Sequence, residues 1–394
     1  MKKLIACEIG NFDSKTMDET MVDIKTGEYK TEPITILNMI SIGHSRRSYS
    51  NNLSETKGNE LINLLDVTIE TEIDSLACGH WFVGGLAFKD GKKIRKPNTV
   101  SKKSTNPQTI VMLLTSLAYA LYDPQKPKKS ESIKLGTLLP IEEYFPNPPD
   151  TTDYENILRE KLSGKKSTVK FNDGAFQEAE ITIIIDDPDI NPEGAAAQIA
   201  CIYNWDATVK KELKGLEHKT TMNIDFGSID TNVSILQNGD FLEKGIFGFK
   251  GGTTEVFKNI AEEINAEKGY LYDPFKLDYH VRTNRPLMLG DEDIIELLKK
   301  KTKESFSKAG WTMGMDIIGE LEDRGIIIDE ISIINYTGGG SQFFKDDVNT
   351  YIKRSYTKVT EHKNPRFANV EGVLKQLVFE RLAAESNNKD VFES

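Results

Sequence analysis

Two segments of the 394-residue chain set a carboxylate, a glycine and a short polar run directly after an apolar stretch. The first is Glu8-Ile9-Gly10-Asn11-Phe12-Asp13-Ser14-Lys15, and the second is Asp225-Phe226-Gly227-Ser228-Ile229-Asp230-Thr231. Triphosphate binding needs backbone N–H groups that close on anionic oxygens, a glycine that lets them approach, and a cation for the outer phosphates. Gly10, Asn11, Phe12, Asp13 and Ser14 offer the turn and Lys15 the cation; Gly227, Ser228, Ile229, Asp230 and Thr231 repeat the turn. The preceding acids, Glu8 and Asp225, suit Mg2+, which keeps several of its waters and takes few direct protein ligands. A single glycine turn near a lysine is usually only a turn. The recurrence of the design in the second half gives the pair its weight.

A third segment, Asn335-Tyr336-Thr337-Gly338-Gly339-Gly340-Ser341, ends a buried apolar run and precedes a helical start at Gln342-Phe343-Phe344. Gly338, Gly339 and Gly340 let a backbone lie against a flat base or sugar, where a side chain would collide. Bare flexibility is the other meaning of such a cluster. Gln342 joins the candidate site as the first polar side chain beyond it.

The elements that must position these segments alternate in the α/β manner. Leu4 to Ile9, Ile133 to Pro140 and Ala179 to Ile185 read as strands. Pro107 to Tyr122 reads as a helix capped by Asn106, followed by helices over Asp153 to Leu162 and Gly194 to Tyr203. In the second half Thr221 to Phe226, Thr231 to Gln237 and Phe241 to Phe247 suggest a meander with Asn238-Gly239 as hairpin turn. Helical patterns follow over Thr254 to Glu267, Glu292 to Ser307 and Met313 to Asp323, and Ile331 to Tyr336 reads as a buried strand. The polar, lysine-rich stretch from Asn204 to His218 marks the expected domain boundary.

Composition narrows the class. Hydrophobic residues make up 38% and charged residues 28%, and no apolar run approaches the roughly 20 residues of a membrane span, so a soluble, cytoplasmic protein is expected. Cys7, Cys78 and Cys201 are scattered among apolar neighbours, which favours small core residues over a disulfide framework or a zinc site. A net charge of −11 argues against broad nucleic-acid binding. The local exception is the basic run Lys89, Lys92, Lys93, Arg95, Lys96, Lys102, Lys103, read as a solvated loop or, second, as a contact surface for an acidic patch.

The spacing D/E-x-G-x4-K, then D-x-G-x3-T, then a glycine cluster resembles the two phosphate motifs and the adenosine motif of the actin, Hsp70 and sugar-kinase superfamily. Asn191-Pro192-Glu193-Gly194-Ala195-Ala196 and Pro365-Arg366-Phe367-Ala368-Asn369-Val370-Glu371-Gly372 are similar to the two connecting motifs of ParM-like bacterial actins. Trp81-Phe82-Val83-Gly84-Gly85-Leu86-Ala87 looks like a strand of their small first subdomain. The resemblance departs at Glu8, where the family usually has Asp.

What the resemblance implies is an actin-like ATPase fold, two RNase H-like lobes around an interdomain nucleotide cleft. Domain I would span 1–205 plus 372–394 with a small subdomain around 30–100. Domain II would span 206–371 with another around 255–325. Glu193 would orient the water that attacks the γ-phosphate, Glu8 and Asp225 would hold Mg2+ through water, and the cofactor would be Mg-ATP, with GTP left open. The partners implied are other copies of the chain in a filament and a small DNA-binding adaptor at a plasmid centromere, without direct nucleic-acid or membrane contact. A small-molecule kinase of the same superfamily stands as the alternative. An Hsp70-type chaperone is disfavoured because a substrate-binding extension is not expected after Ser394.

Overall fold

A short run at the N-terminus, buried from Leu4 to Ile9, opens a hairpin, and the chain then adds parallel strands beside it. The computed structural model describes residues 2–45, 58–90, 94–95, 102–146, 150–215 and 218–392. It folds as two compact units, Met1–Thr208 with Asn369–Ser394, and Val209–Ala368.

The first unit holds β1 (Lys3–Ile9), β2 (Asp13–Asp18), β3 (Ile34–Leu37), β4 (Ile40–Ile42), β5 (Asp66–Thr71), β6 (Gly79–Val83), β7 (Lys128–Leu139), β8 (Lys166–Phe171), β9 (Glu180–Ile185) and β10 (Asp189–Pro192). They form one sheet in the order β3-β2-β1-β7-β9-β8-β5-β6-β4, and β10 pairs with the far end of β7. Its helices are α1 (Gly85–Asp90), α2 (Pro107–Leu121), α3 (Ile141–Tyr144), α4 (Tyr154–Leu162) and α5 (Ala195–Ile202). The helix α2 is capped by Asn106, whose side chain accepts from Gln108 N, and carries Pro at its first position. It is apolar on nearly every side because it lies in the core, packing Ile110, Leu113, Leu114 and Leu117 among the sheet residues.

The second unit holds β11 (Thr220–Phe226), β12 (Asp230–Gln237), β13 (Asp240–Phe241), β14 (Phe247–Lys250), β15 (Met288–Leu289), β16 (Glu292–Asp293), β17 (Ile331–Thr337) and β18 (Lys358–Glu361). The main sheet runs β13-β12-β11-β17-β18, with β14 also on β12. Its helices are α6 (Thr253–Lys268), α7 (Pro274–Thr283), α8 (Ile295–Asp323) and α9 (Ser341–Ile352); α10 (Ala368–Phe392) follows. Phe306 stacks on Phe343 with ring centroids 4.5 Å apart, and Phe257, Phe344 and Phe226 continue this aromatic core.

Four expectations need correction. The strand expected over Phe241 to Phe247 is broken after Phe241 by a 3-10 turn at Glu243–Gly245. There the chain crosses so close to β12 that a Cβ on Gly245 would lie 2.7 Å from Ile235 Cβ. The two helices expected over Glu292 to Ser307 and Met313 to Asp323 are one helix, α8. Gly310, in the gap between the two expected helices, and Gly314 let α8 sit on α9: added Cβ atoms would fall 2.8 Å from Asp347 Cβ and 2.9 Å from Tyr351 Cβ. Trp81 to Ala87 is strand only through Val83; Gly84 at φ +63° turns it into α1. Cys78 is exposed, unlike the buried Cys7 and Cys201, because it caps the outward 3-10 turn Ser75–Ala77. Burial pushes the Cys7 thiol up to about 12, with Glu8 adding to the effect against a Thr16 hydrogen bond. Among the described residues no helix is long and apolar enough to cross a membrane.

Candidate functional site

Each unit carries the same hairpin. In the first, β1 pairs antiparallel with β2, with Glu8 opposite Lys15 and Ile9 opposite Ser14. In the second, β11 pairs with β12, with Asp225 opposite Asn232 and Phe226 opposite Thr231. Four residues therefore close each turn, Gly10 to Asp13 and Gly227 to Asp230. In both turns the glycine is forced by the same contact: a Cβ on Gly10 would lie 2.8 Å from Asp13 O, and one on Gly227 would lie 2.6 Å from Asp230 O. The two acids occupy equivalent places, one residue before the last strand position.

Parallel neighbours bring further groups to the same strand ends. In the first unit Cys7 lies opposite Thr137 of β7, and Thr137 lies opposite Ile190 of β10. Glu8 in β1 and Glu193 just after β10 thus lie near the carboxyl ends of strands on either side of β7, the usual place for a ligand in an α/β sheet. In the second unit Asp225 lies opposite Thr337 of β17, directly before Gly338.

The Glu8 turn is charged and braced by side chains. Lys15 Nζ lies 3.0 Å from Glu8 Oε1 and 3.4 Å from Asp13 Oδ1, all three side chains being less than a tenth exposed. Asn38 Nδ2 donates to Gly10 O at 2.7 Å, and Gln108 Nε2 donates to Asn38 Oδ1 at 3.1 Å. The Ser14 hydroxyl faces the core, where it bonds Ser116 Oγ at 2.8 Å. It supports the turn; its side chain does not line it.

The Asp225 turn is braced by backbone. Gly340 N donates to Phe226 O, Gly252 N to Ile229 O and Thr254 N to Ser228 O, at 2.8, 3.0 and 2.7 Å. Thr337 Oγ1 donates to Asp225 Oδ1 at 3.2 Å, and Thr231 Oγ1 donates to Gly251 O at 3.0 Å. Gly338, at φ +84°, passes so near that a Cβ would lie 2.5 Å from Asp225 Oδ1. Beside this turn is a cavity of about 460 Å³ lined by Arg282, Gly338, Gly339, Ser341, Gln342 and Arg366, among others. The Gly340 backbone closes on the hairpin and does not line this cavity.

No protein-family model matches the chain, and no curated protein is similar to it in sequence. Solved structures match over nearly its whole length. The actin-like protein Alp7A aligns with a TM-score of 0.70 at 16% identity, over 99% of this chain and 100% of its own. A ParM from Clostridium botulinum, solved as a 15-stranded filament, gives 0.68 at 18% identity over 95% and 98%. Bacillus thuringiensis ParM with ATP gives 0.67 at 18% identity over 97% and 99%. The chain has the actin-like fold.

Several side chains around these turns escape sequence reading. Lys103, expected on a solvated or contact loop, is 13% exposed, and its Nζ lies 2.6 Å from Glu193 Oε1. Lys103 and Ser104 are held by Glu143, whose carboxylate accepts from Lys103 N, Ser104 N and Ser104 Oγ. Lys92, Lys93 and Lys96 of the same run lie outside the described residues. Arg282 donates to Gly339 O at 2.6 Å and pairs with Asp278, fixing the glycine cluster. Ser341 Oγ is buried at the cavity wall and has no hydrogen-bond partner among the described residues. The signal for Ser341 was present in its position directly after three glycines at a helix start; nothing local marks Lys103 or Arg282, whose partners are 90 and 57 residues away.

Glu193 itself follows β10, its N–H bonded to Leu139 O at 2.8 Å. Gly194, at φ +78°, turns the chain into α5 and donates to Asn369 Oδ1 at 2.9 Å. A Cβ on Gly372 would fall 1.8 Å from Ala196 O, so α10 crosses α5 at backbone contact. These contacts leave Glu193 little freedom to move with respect to β7.

Proposed function

We propose that this protein is an actin-like ATPase that polymerises with Mg-ATP and hydrolyses it to drive plasmid DNA segregation. The observation that carries the reading is the repeated hairpin, with one loop length, one forced glycine and one strand-end acid in each unit. A fold shared with ParM and Alp7A supports it, as do the ParM structures solved with ATP, AMPPNP and ADP and as a filament. In this reading Gly10 to Lys15 and Gly227 to Thr231 engage the phosphates, and the nucleoside enters the cavity beside Gly338 and Gly339. Domain I corresponds to 1–205 plus 372–394 and domain II to 206–371. GTP remains the competing nucleotide.

The residues present suit Mg2+: Glu8 and Asp225 are hard oxygen donors at strand ends, and Gly338 lacks the side chain that would collide with Asp225 Oδ1. Bound there with nucleotide, the ion would neutralise charge on the phosphate oxygens. Lys15 holds positive charge at the first turn, the turn N–H groups orient the phosphates, and Glu193 orients the attacking water. Copies of the chain assemble in the cytoplasm into a filament, and a small DNA-binding adaptor links it to a centromere.

Glu193→Ala tests the division between binding and hydrolysis. A water-orienting group contributes mainly in the transition state, so ATP affinity should be nearly unchanged while hydrolysis falls by about two to four orders of magnitude. Phosphate release and light scattering, followed together after limiting ATP, should show assembly that persists where wild type decays. Wild-type turnover in the variant would reduce Glu193 to a helix-start residue. Wild-type protein that stays monomeric with Mg-ATP while phosphorylating a sugar would replace the filament by a kinase.

A further inference from the structure

The Lys103–Glu193 pair is held from both sides by one strand. Glu193 follows β10, which pairs in register with β7, Pro192 lying opposite Leu139. Glu143 is on α3, three residues beyond Pro140, which directly follows β7, and is 5% exposed. Its two oxygens take Lys103 N at 2.6 Å, Ser104 N at 3.0 Å and Ser104 Oγ at 2.8 Å. The backbone of Lys103 is therefore fixed relative to β7, and only the alkyl stem separates that anchor from Glu193.

Charge reinforces the geometry. Burial alone would pull the Lys103 ammonium down, but Glu193, Glu8 and Glu143 together hold it above the ordinary lysine range. Lysine gains in this way a stability that is complete below its unfolded pKa and is lost only as pH rises through the still higher folded value. At neutral pH the pair is thus constant. Without its cation the Glu193 carboxylate would lose the 2.6 Å contact that fixes its direction, and removing one member of a buried pair leaves the other uncompensated.

We propose that Lys103 is a positioning residue that holds the Glu193 carboxylate in the one orientation from which it directs water. The inference rests on the reading of Glu193 given under Proposed function. Lys103 acts through Glu193 and is not needed to hold the nucleotide.

The test is a double-substitution cycle. Phosphate release and affinity for a fluorescent ATP analogue are measured, with Mg2+, for wild type, Lys103→Met, Lys103→Arg, Glu193→Ala and the double variant Lys103→Met with Glu193→Ala. Lys103→Met should lower kcat about ten- to a hundredfold, the usual cost of misplacing a supporting group, with affinity nearly unchanged. Lys103→Arg should recover most of the rate, and the double variant should be no slower than Glu193→Ala. Wild-type turnover in Lys103→Met overturns the inference. So does a double variant slower than Glu193→Ala with weakened nucleotide binding, since Lys103 would then act on the nucleotide itself.

If Lys103→Met unfolds below the assay temperature, Glu143→Gln replaces it, because this change loosens the Lys103 backbone and leaves the ion pair its charges. A lower kcat at unchanged affinity then supports the inference, and an unchanged kcat overturns it. Glu193→Ala separates the two readings. A fast Glu193→Ala removes the parent reading, whereas a slow Glu193→Ala beside a fast Lys103→Met removes only the role of Lys103.

Discussion

The two hairpins share a loop length and a forced glycine but stabilise their turns by different means. At the Glu8 turn the residue across the ladder is Lys15, and buried side chains, Asn38 and Gln108, hold the loop. At the Asp225 turn the residue across the ladder is Asn232, and the loop is held by the N–H groups that begin α6 and α9. The same backbone design thus sets a lysine across the ladder from its acid in one unit and an asparagine in the other. Loss of a bracing side chain should therefore loosen the first turn, and displacement of the bracing backbone at Gly338 to Gly340 should loosen the second.

The largest expected effect is on chemistry at the second turn. Asp225→Ala should lower hydrolysis about a thousandfold, the scale of one well-placed electrostatic group, and weaken Mg-dependent nucleotide binding. Glu8→Ala should cost less, because it also releases Lys15 to face the phosphates. Phosphate release by the two variants ranks the acids; the opposite order would assign the dominant role to the first unit.

Next is Gly338→Ala. Its φ of +84° and a new Cβ 2.5 Å from Asp225 Oδ1 combine backbone strain with a collision, expected to cost about 2–3 kcal/mol of stability. A thermal melt that does not move would show that the second turn tolerates what its packing forbids. The smallest effect belongs to Asn38→Ala, which removes the 2.7 Å bond to Gly10 O and should cost about 1 kcal/mol. If denaturant titration shows this change to be as damaging as Gly338→Ala, the contrast between side-chain and backbone support fails.

The fold class was legible because its signals are local. β1 is a short apolar run, Asn106-Pro107 caps α2, and Asn238-Gly239, both at positive φ, makes the two-residue hairpin between β12 and β13. What local pattern missed was decided by packing. Gly310 falls in the gap between two expected helices until Asp347 is seen against it, and Gly245 stops a strand only because Ile235 lies beneath. The strand-end position of both acids was readable from the apolar runs before them. Lys103 was not, since a lysine in a basic run gives no sign that a carboxylate 90 residues away will pair with it.

The close seating of α8 on α9 bears on how events at the cavity are felt elsewhere in the second unit. Helix α9 starts at Ser341, directly after the glycine cluster, and Gly310 and Gly314 remove the side-chain cushion between it and α8. Backbones in such contact slide little and turn together. With 29 residues, α8 is a rod of roughly 40 Å, far longer than the cavity is wide. In the nucleotide reading proposed above, a shift of α9 as a base settles against Gly339 would carry α8 with it, and so reach core residues at both ends of that helix, Leu298 and Leu321.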